Sequence, residues 1–195
     1  FSFGGFGAPR VPAGTYKVVM KKGKEQFETT LELVYDERAG ISLESRKAQG
    51  KMAKELFDMT QDLAYLVYQV DSYLDYAEKI KASDPKSSKS MTAFINELNE
   101  LKERLVITTG DNYVDTAEPE LREKISQLYG IVIANYDRPS AILEENKNTL
   151  NEKLKESQNK FTSIISKHEK NLLRYSKSAN IENLILDDFA TFIEK

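Results

Sequence analysis

The sequence predicts a mostly α-helical protein: an antiparallel bundle of two long and two short helices, preceded by a β-hairpin that reads as the last two strands of a sandwich. Three observations predict it. Residues 11–38 alternate apolar and polar residues around a central glycine, the period of a strand pair. Beyond residue 39 the apolar residues recur at alternating spacings of four and three, the heptad pattern of packed helices. Proline- and glycine-bearing breaks at Asp84-Pro85, Thr109-Gly110 and Asp137-Arg138-Pro139 cut that pattern into pieces of unequal length.

Residues 1–10 (FSFGGFGAPR) are glycine-rich with interleaved phenylalanines and read as a flexible linker or an edge segment. The strands are expected at residues 14–21 and 26–35. Tyr16, Val18 and Met20 share one face of the first. Phe27, Thr29, Leu31, Leu33 and Tyr35 share one face of the second. Gly23, between Lys22 and Lys24, supplies the positive φ a tight hairpin turn needs. An isolated hairpin is marginal in water, so this one is expected to pack on the helices, on further strands, or on both.

The remainder, residues 39–195, is expected to form the bundle. The first helix begins after Ser42, a suitable N-cap with Glu44 in the first turn. Its seam is Met52, Leu56, Met59, Leu63, Leu66, Val70, Tyr73, Ala77 and Ile80. Gly50 weakens its opening turns by about 1 kcal/mol, and Pro85 ends it. The second helix covers residues 90–108 with Met91, Phe94, Leu98, Leu101 and Leu105 inward. The third begins near Pro119, with Asp115 and Glu118 at capping-box spacing, and turns in Leu121, Ile125, Leu128 and Val132. The fourth covers residues 140–176 on a seam of Leu143, Lys147, Leu150, Leu154, Ser157, Phe161, Ile164, His168 and Tyr175. A short terminal helix uses Ile185, Phe189, Phe192 and Ile193. With short connections the four main helices would alternate in direction. The short pair would then cover one end of the long pair, leaving the hairpin and the last helix to cap the other.

Composition removes several function classes. The 195 residues are 40% hydrophobic and 30% charged, enough for one domain with a sizeable core. A net charge of -3, with lysine and glutamate interleaved, offers no basic stripe for nucleic acid. No apolar run reaches the roughly 18–20 residues of a membrane span, and Phe1-Ser2-Phe3 does not open a signal peptide. With no cysteine there is no thiol nucleophile, disulfide or thiolate metal site.

Individual residues point to no reaction. His168, the sole histidine, falls on a helix seam and reads as a packed core residue rather than a metal ligand. Tyr65 and Tyr68 lie off the first helix's seam. Exposed, they could stack on a sugar or anchor a protein partner; otherwise the hairpin or a neighbouring domain covers them. The acids Asp111, Asp115, Glu144, Glu145, Asp187 and Asp188 include sequence neighbours, but glycoside cleavage needs two carboxylates facing across a cleft. Glu144 and Glu145 suit the positive end of the fourth helix, and residues 111–115 lack the rest of a calcium loop. No nucleotide or dinucleotide fingerprint is present. No catalytic, cofactor-binding or metal residue is assigned.

Three stretches resemble the C-terminal region of bacterial sortilin-like or BNR-repeat β-propeller proteins, often labelled glycosyl hydrolases. Residues 8–18 (APRVPAGTYKV) are similar to the phrase that opens that family's last sandwich strands. Residues 31–38 (LELVYDER) resemble the next strand and its closing turn, with Glu37 where the family has proline. Arg138-Pro139-Ser140, followed by Leu150 and Leu154, resembles the lead-in to its final helix, with Ser140 in place of threonine. The resemblance implies an immunoglobulin-like sandwich origin for the hairpin, an exported parent at the periplasm or cell surface, and propellers of the same polypeptide as partners. Any ligand site would lie in those propellers, so no catalytic residue carries over. Three readings follow: a non-catalytic structural or interaction module, a helical adaptor that binds a protein or glycan through Tyr65 and Tyr68, or a fragment of an active glycoside hydrolase.

Overall fold

Seam residues on the first long helix set the architecture. The structure, a computed structural model, describes residues 7–107 and 118–194. α1 spans Leu43–Ser83, 41 residues, about 60 Å at the rise of an α-helix. The Ser42 hydroxyl caps it by accepting from the Ser45 amide. Its expected seam is inside: Met52, Leu56, Met59, Leu63, Leu66, Val70, Ala77 and Ile80 are buried, and Tyr73 is partly buried against them. Asp84-Pro85 ends the helix, and the Asp84 carboxylate accepts from the Lys86 amide to cap a 3-10 turn at Pro85–Ser87.

That turn reverses the chain into α2, Ser88–Leu105, whose seam of Met91, Phe94, Leu98, Leu101 and Leu105 is buried together with Ile95. α2 stops short of the expected Thr108, which lies outside the described residues. α3, Leu121–Ala134, buries Leu121, Ile125, Leu128, Tyr129 and Val132. Its capping box is Glu120 with Glu123, whose carboxylate accepts from the Glu120 amide at 3.2 Å. The box expected at Asp115 and Glu118 is therefore displaced along the chain. Asp115 lies outside the described residues, and Pro119 precedes the cap. α4, Ala141–Ser178, is capped by Ser140 and buries Leu150, Leu154, Phe161, Ile164, His168 and Leu172.

The helices are arranged differently from the expected alternation. Lys102 reaches Asp71 at 2.6 Å and Ser87 bonds the Ile80 carbonyl, so α2 descends along the second half of α1. Phe57 touches Tyr129 and Gln49 Nε2 donates to the Val132 carbonyl, so α3 descends along the first half. α4 then rises beside α1, with Lys147 paired to Glu55 and Phe161 packed on Tyr73. α2 and α3 are thus consecutive segments of one descending rod, antiparallel to the two long helices, which are parallel to each other. The physical reason is coverage. At about 27 and 21 Å, the two short helices end to end match the long seams, whereas side by side they would leave half of each seam bare. The long connection across residues 106–120 permits this. Neither the hairpin nor the last helix is needed to close an open end.

β1 (Gly14–Lys22) and β2 (Glu25–Leu33) pair antiparallel, with Tyr16 opposite Leu31, Val18 opposite Thr29 and Met20 opposite Phe27. Gly23 at φ +62 opens the two-residue turn, the pattern of a type II′ hairpin. Past α4, Asn180 takes φ +54. Ile181 and Leu184 then pack against the core, and α5 (Phe189–Ile193) follows, capped by Asp188. Ile185, expected in the terminal helix, precedes it and is 89% exposed, and Ile193 is likewise exposed.

Candidate functional site

Among the described residues the hairpin carries five of the exposed large apolar side chains, Val18, Val19, Met20, Phe27 and Leu31. Strand alternation puts Tyr16, Val18, Met20, Phe27 and Leu31 on one face. Met20 is 57% exposed and Phe27 50%, and almost every residue of both strands faces solvent. The opposite face is mainly polar, with Lys17, Lys21, Gln26 and Glu28 around a single exposed Val19, and Lys17 and Glu28 are paired at 2.8 Å. The hairpin is therefore amphipathic, but its apolar side does not rest on the helices.

What joins it to the bundle is a ladder of alternating rings and guanidinium groups. Arg46, in the first turn of α1, lies 4.7 Å from the centre of the Tyr35 ring and 5.1 Å from that of Tyr136. Arg10 lies 4.4 Å over Tyr136 and donates to the Ile133 carbonyl at 3.0 Å. Each such cation–ring contact is worth about 0.5–2 kcal/mol, more as water is excluded. Tyr129 adds a bond to the Gly7 carbonyl, and burial pushes its phenol up. Residues 7–10, expected to be linker, thus hold α3. Between residues 9–13, Tyr16 and Tyr35 on one side and Gly50, Phe57 and Gln61 of α1 on the other lies a cleft of about 1030 Å³. The Arg46 Nε is buried beside it without a hydrogen-bond partner. Beyond the ladder, Arg38 binds Asp36 through two bonds at 3.0 Å and holds its carboxyl below the usual range.

Tyr65 and Tyr68 are half-buried, and the cover is the chain's own C-terminal segment rather than the hairpin. Tyr65 donates to the Asp187 carbonyl oxygen at 2.9 Å, and Tyr68 to its carboxylate at 3.1 Å. Phe189 meets Tyr65 edge-on at 5.4 Å, and Phe192 stacks on Tyr68 at 5.0 Å. Such pairs add about 0.5–1.5 kcal/mol beyond the area they bury.

His168 sits in the core as its seam position predicts, its ring 5.0 Å from that of Phe94. Its Nε2 is 3.2 Å from Glu97 Oε1, which also accepts from Lys167 at 2.6 Å. These contacts, led by the lysine, hold the Glu97 carboxyl below its ordinary range despite some burial. The other acids do not assemble. Glu144 and Glu145 line a shallow open groove beside Arg138. Asp188 caps α5 by accepting from the Thr191 amide, and Asp111 and Asp115 lie outside the described residues. Among the described residues no cluster of three histidine, cysteine or acidic side chains could hold a metal ion, and no helix is long and apolar enough to cross a membrane.

The ladder was not anticipated from sequence. Its one signal is that Tyr35 and Tyr136 each follow the end of a regular element, where a ring can clamp a junction. The C-terminal cover was half visible: Asp187, Phe189 and Phe192 stood out, but nothing local linked them to α1. No family model, no curated protein and no solved structure matches the chain.

Proposed function

We propose that this chain is a non-catalytic C-terminal module of an exported, sortilin-like or BNR-repeat propeller protein. Its hairpin completes an immunoglobulin-like sandwich, and its bundle packs against and positions the propellers. One observation carries the reading: the hairpin's apolar face is bare while the seams of the bundle are buried. A two-stranded sheet with an uncovered apolar face is marginal alone and stable once further strands pack on it. The APRVPAGTYKV and LELVYDER stretches supply the likeness to sandwich strands. The seam histidine and the scattered acids supply no reaction of the chain's own.

Amide hydrogen exchange tests this. In this chain the β1 and β2 amides should exchange far faster than those of α1 and α4. In a longer polypeptide that includes the residues encoded before Phe1, they should become as protected as the bundle. Unchanged exchange in that longer protein, or an upstream sequence without propeller repeats, would refute the module reading. Hydrolysis of aryl glycosides by this chain alone would favour the hydrolase reading instead.

A further inference from the structure

We propose that the cleft between the hairpin junction and α1 binds a small aromatic anion, a flat apolar body carrying one carboxylate or sulfonate. The inference goes beyond the module reading and does not rest on it.

The walls combine rings with charge that is not balanced nearby. Four rings line the space: Tyr16, Tyr35, Phe57 and Tyr136. Four cations line it too, against one acid, Asp58. Lys54 is paired with that acid at 2.6 Å. The other three, Arg10, Arg46 and Lys47, have no ion-pair partner among the described residues. Arg10 donates to a neutral carbonyl, and Arg46 meets rings. Asp36, an acid on which the Arg46 charge also acts, is bonded by Arg38. A ring attracts the charge of a guanidinium but accepts little from its N–H groups. The Arg46 Nε is such a donor, buried without a partner, an arrangement that destabilises a protein until an acceptor arrives. A carboxylate or sulfonate beside the guanidinium supplies one, and a planar ring attached to it stacks on the guanidinium as the tyrosines do. A compact inorganic anion would leave the rings unused, and a cation would face like charges.

The space is also held open. At about 1030 Å³ it stands at the upper end of small-molecule sites, about 300–1,000 Å³. Its outer wall, residues 9–13, is tied down twice. Arg10 donates to the Ile133 carbonyl at 3.0 Å, and the Tyr16 hydroxyl donates to the Pro12 carbonyl at 2.6 Å. The inner wall is α1, where Gly50 lies within the helix and lines the cleft. Glycine is the poorest helix former after proline, and Gly50 has no positive φ that would call for it. A Cβ built there meets nothing within 4 Å, so no close packing calls for it either. What the missing side chain does is keep the cleft clear.

The test titrates the full chain with anilinonaphthalene sulfonate, read by fluorescence, and displaces it with naphthoate or its uncharged amide. Binding should saturate at one probe per chain. Naphthoate should displace the probe at least about tenfold better than the amide, the difference a charged hydrogen bond makes. Gly50→Leu fills the cleft from α1 and improves the helix, so it should abolish saturable binding with no fall in melting temperature. Arg46→Gln should weaken binding at least about tenfold. Gly50→Leu leaves the ring-and-guanidinium ladder in place and so separates loss of the site from loosening of the hairpin. Phe27→Ser, on the bare hairpin face, should leave the affinity within about twofold. Helical circular dichroism reports the fold of each variant. Any of four results overturns the proposal: no saturable binding, binding that survives Gly50→Leu, binding lost with Phe27→Ser, or equal displacement by the amide.

Discussion

The bundle and the hairpin are built on the same principle and end in opposite states. Both segregate apolar residues to one side by the period of their backbone. In the bundle that side is closed, and Phe94 is 0% exposed between α1 and α4. In the hairpin Phe27 remains half exposed, opposite Met20 near the turn of an equally ordered pattern. The difference lies in what each side meets. Four helical seams find one another within 195 residues, whereas the strand face finds only polar junctions and solvent. Amphipathicity states that a surface will be covered; it does not state by what.

The sharpest way to break the comparison is to truncate one ring in each region. Phe94→Ala should cost about 3–5 kcal/mol in urea unfolding followed by helical dichroism, a large buried side chain replaced by a cavity. Phe27→Ala should change the same midpoint by no more than about 0.5 kcal/mol, as a surface substitution does. Comparable losses would mean that the hairpin face is packed on the bundle after all. Intermediate in size is the junction. Arg46→Ala removes the rung between Tyr35 and Tyr136 and should release about 1–2 kcal/mol of attachment. Its signature is faster amide exchange in β1 and β2 with α2 and α4 unchanged; equal acceleration in all four would show that Arg46 supports the bundle instead.

The smallest effect belongs to the polar contact inside the bundle. Glu97 is held below the ordinary glutamate value by Lys167 and His168. Its stabilisation is therefore complete above the unfolded value of about 4.3 and fades as pH falls through the lower folded value. The difference in melting temperature between the protein and Glu97→Gln should be about 2 °C or less and should shrink below about pH 4. A gap that widens on acidification would contradict the assigned contacts.

How much of this was legible in the sequence follows the range of the interactions. Helix seams, the Ser42 cap, the Pro85 stop and the Gly23 turn depend on neighbours within a few residues, and each could be read directly. The path of the chain between α2 and α3 could not. Assuming a short connection there put the short helices side by side, and the length of residues 106–120 undoes that assumption. The contacts that define the candidate surfaces join residues far apart in sequence: Arg46 to Tyr136, and Tyr65 to Asp187. Their residue types are ordinary for exposed positions, so only the fold reveals which tyrosine has a partner. His168 is the instructive exception, because its seam position alone placed it correctly.

The parallel course of α1 and α4 has a mechanical corollary. The polypeptide enters the bundle beside the ring-and-guanidinium junction and leaves α4 at the far pole, about 60 Å away. Two unbroken helices running the full distance in the same sense make a strut. A displacement imposed at the hairpin would be delivered to the opposite tip with little bending.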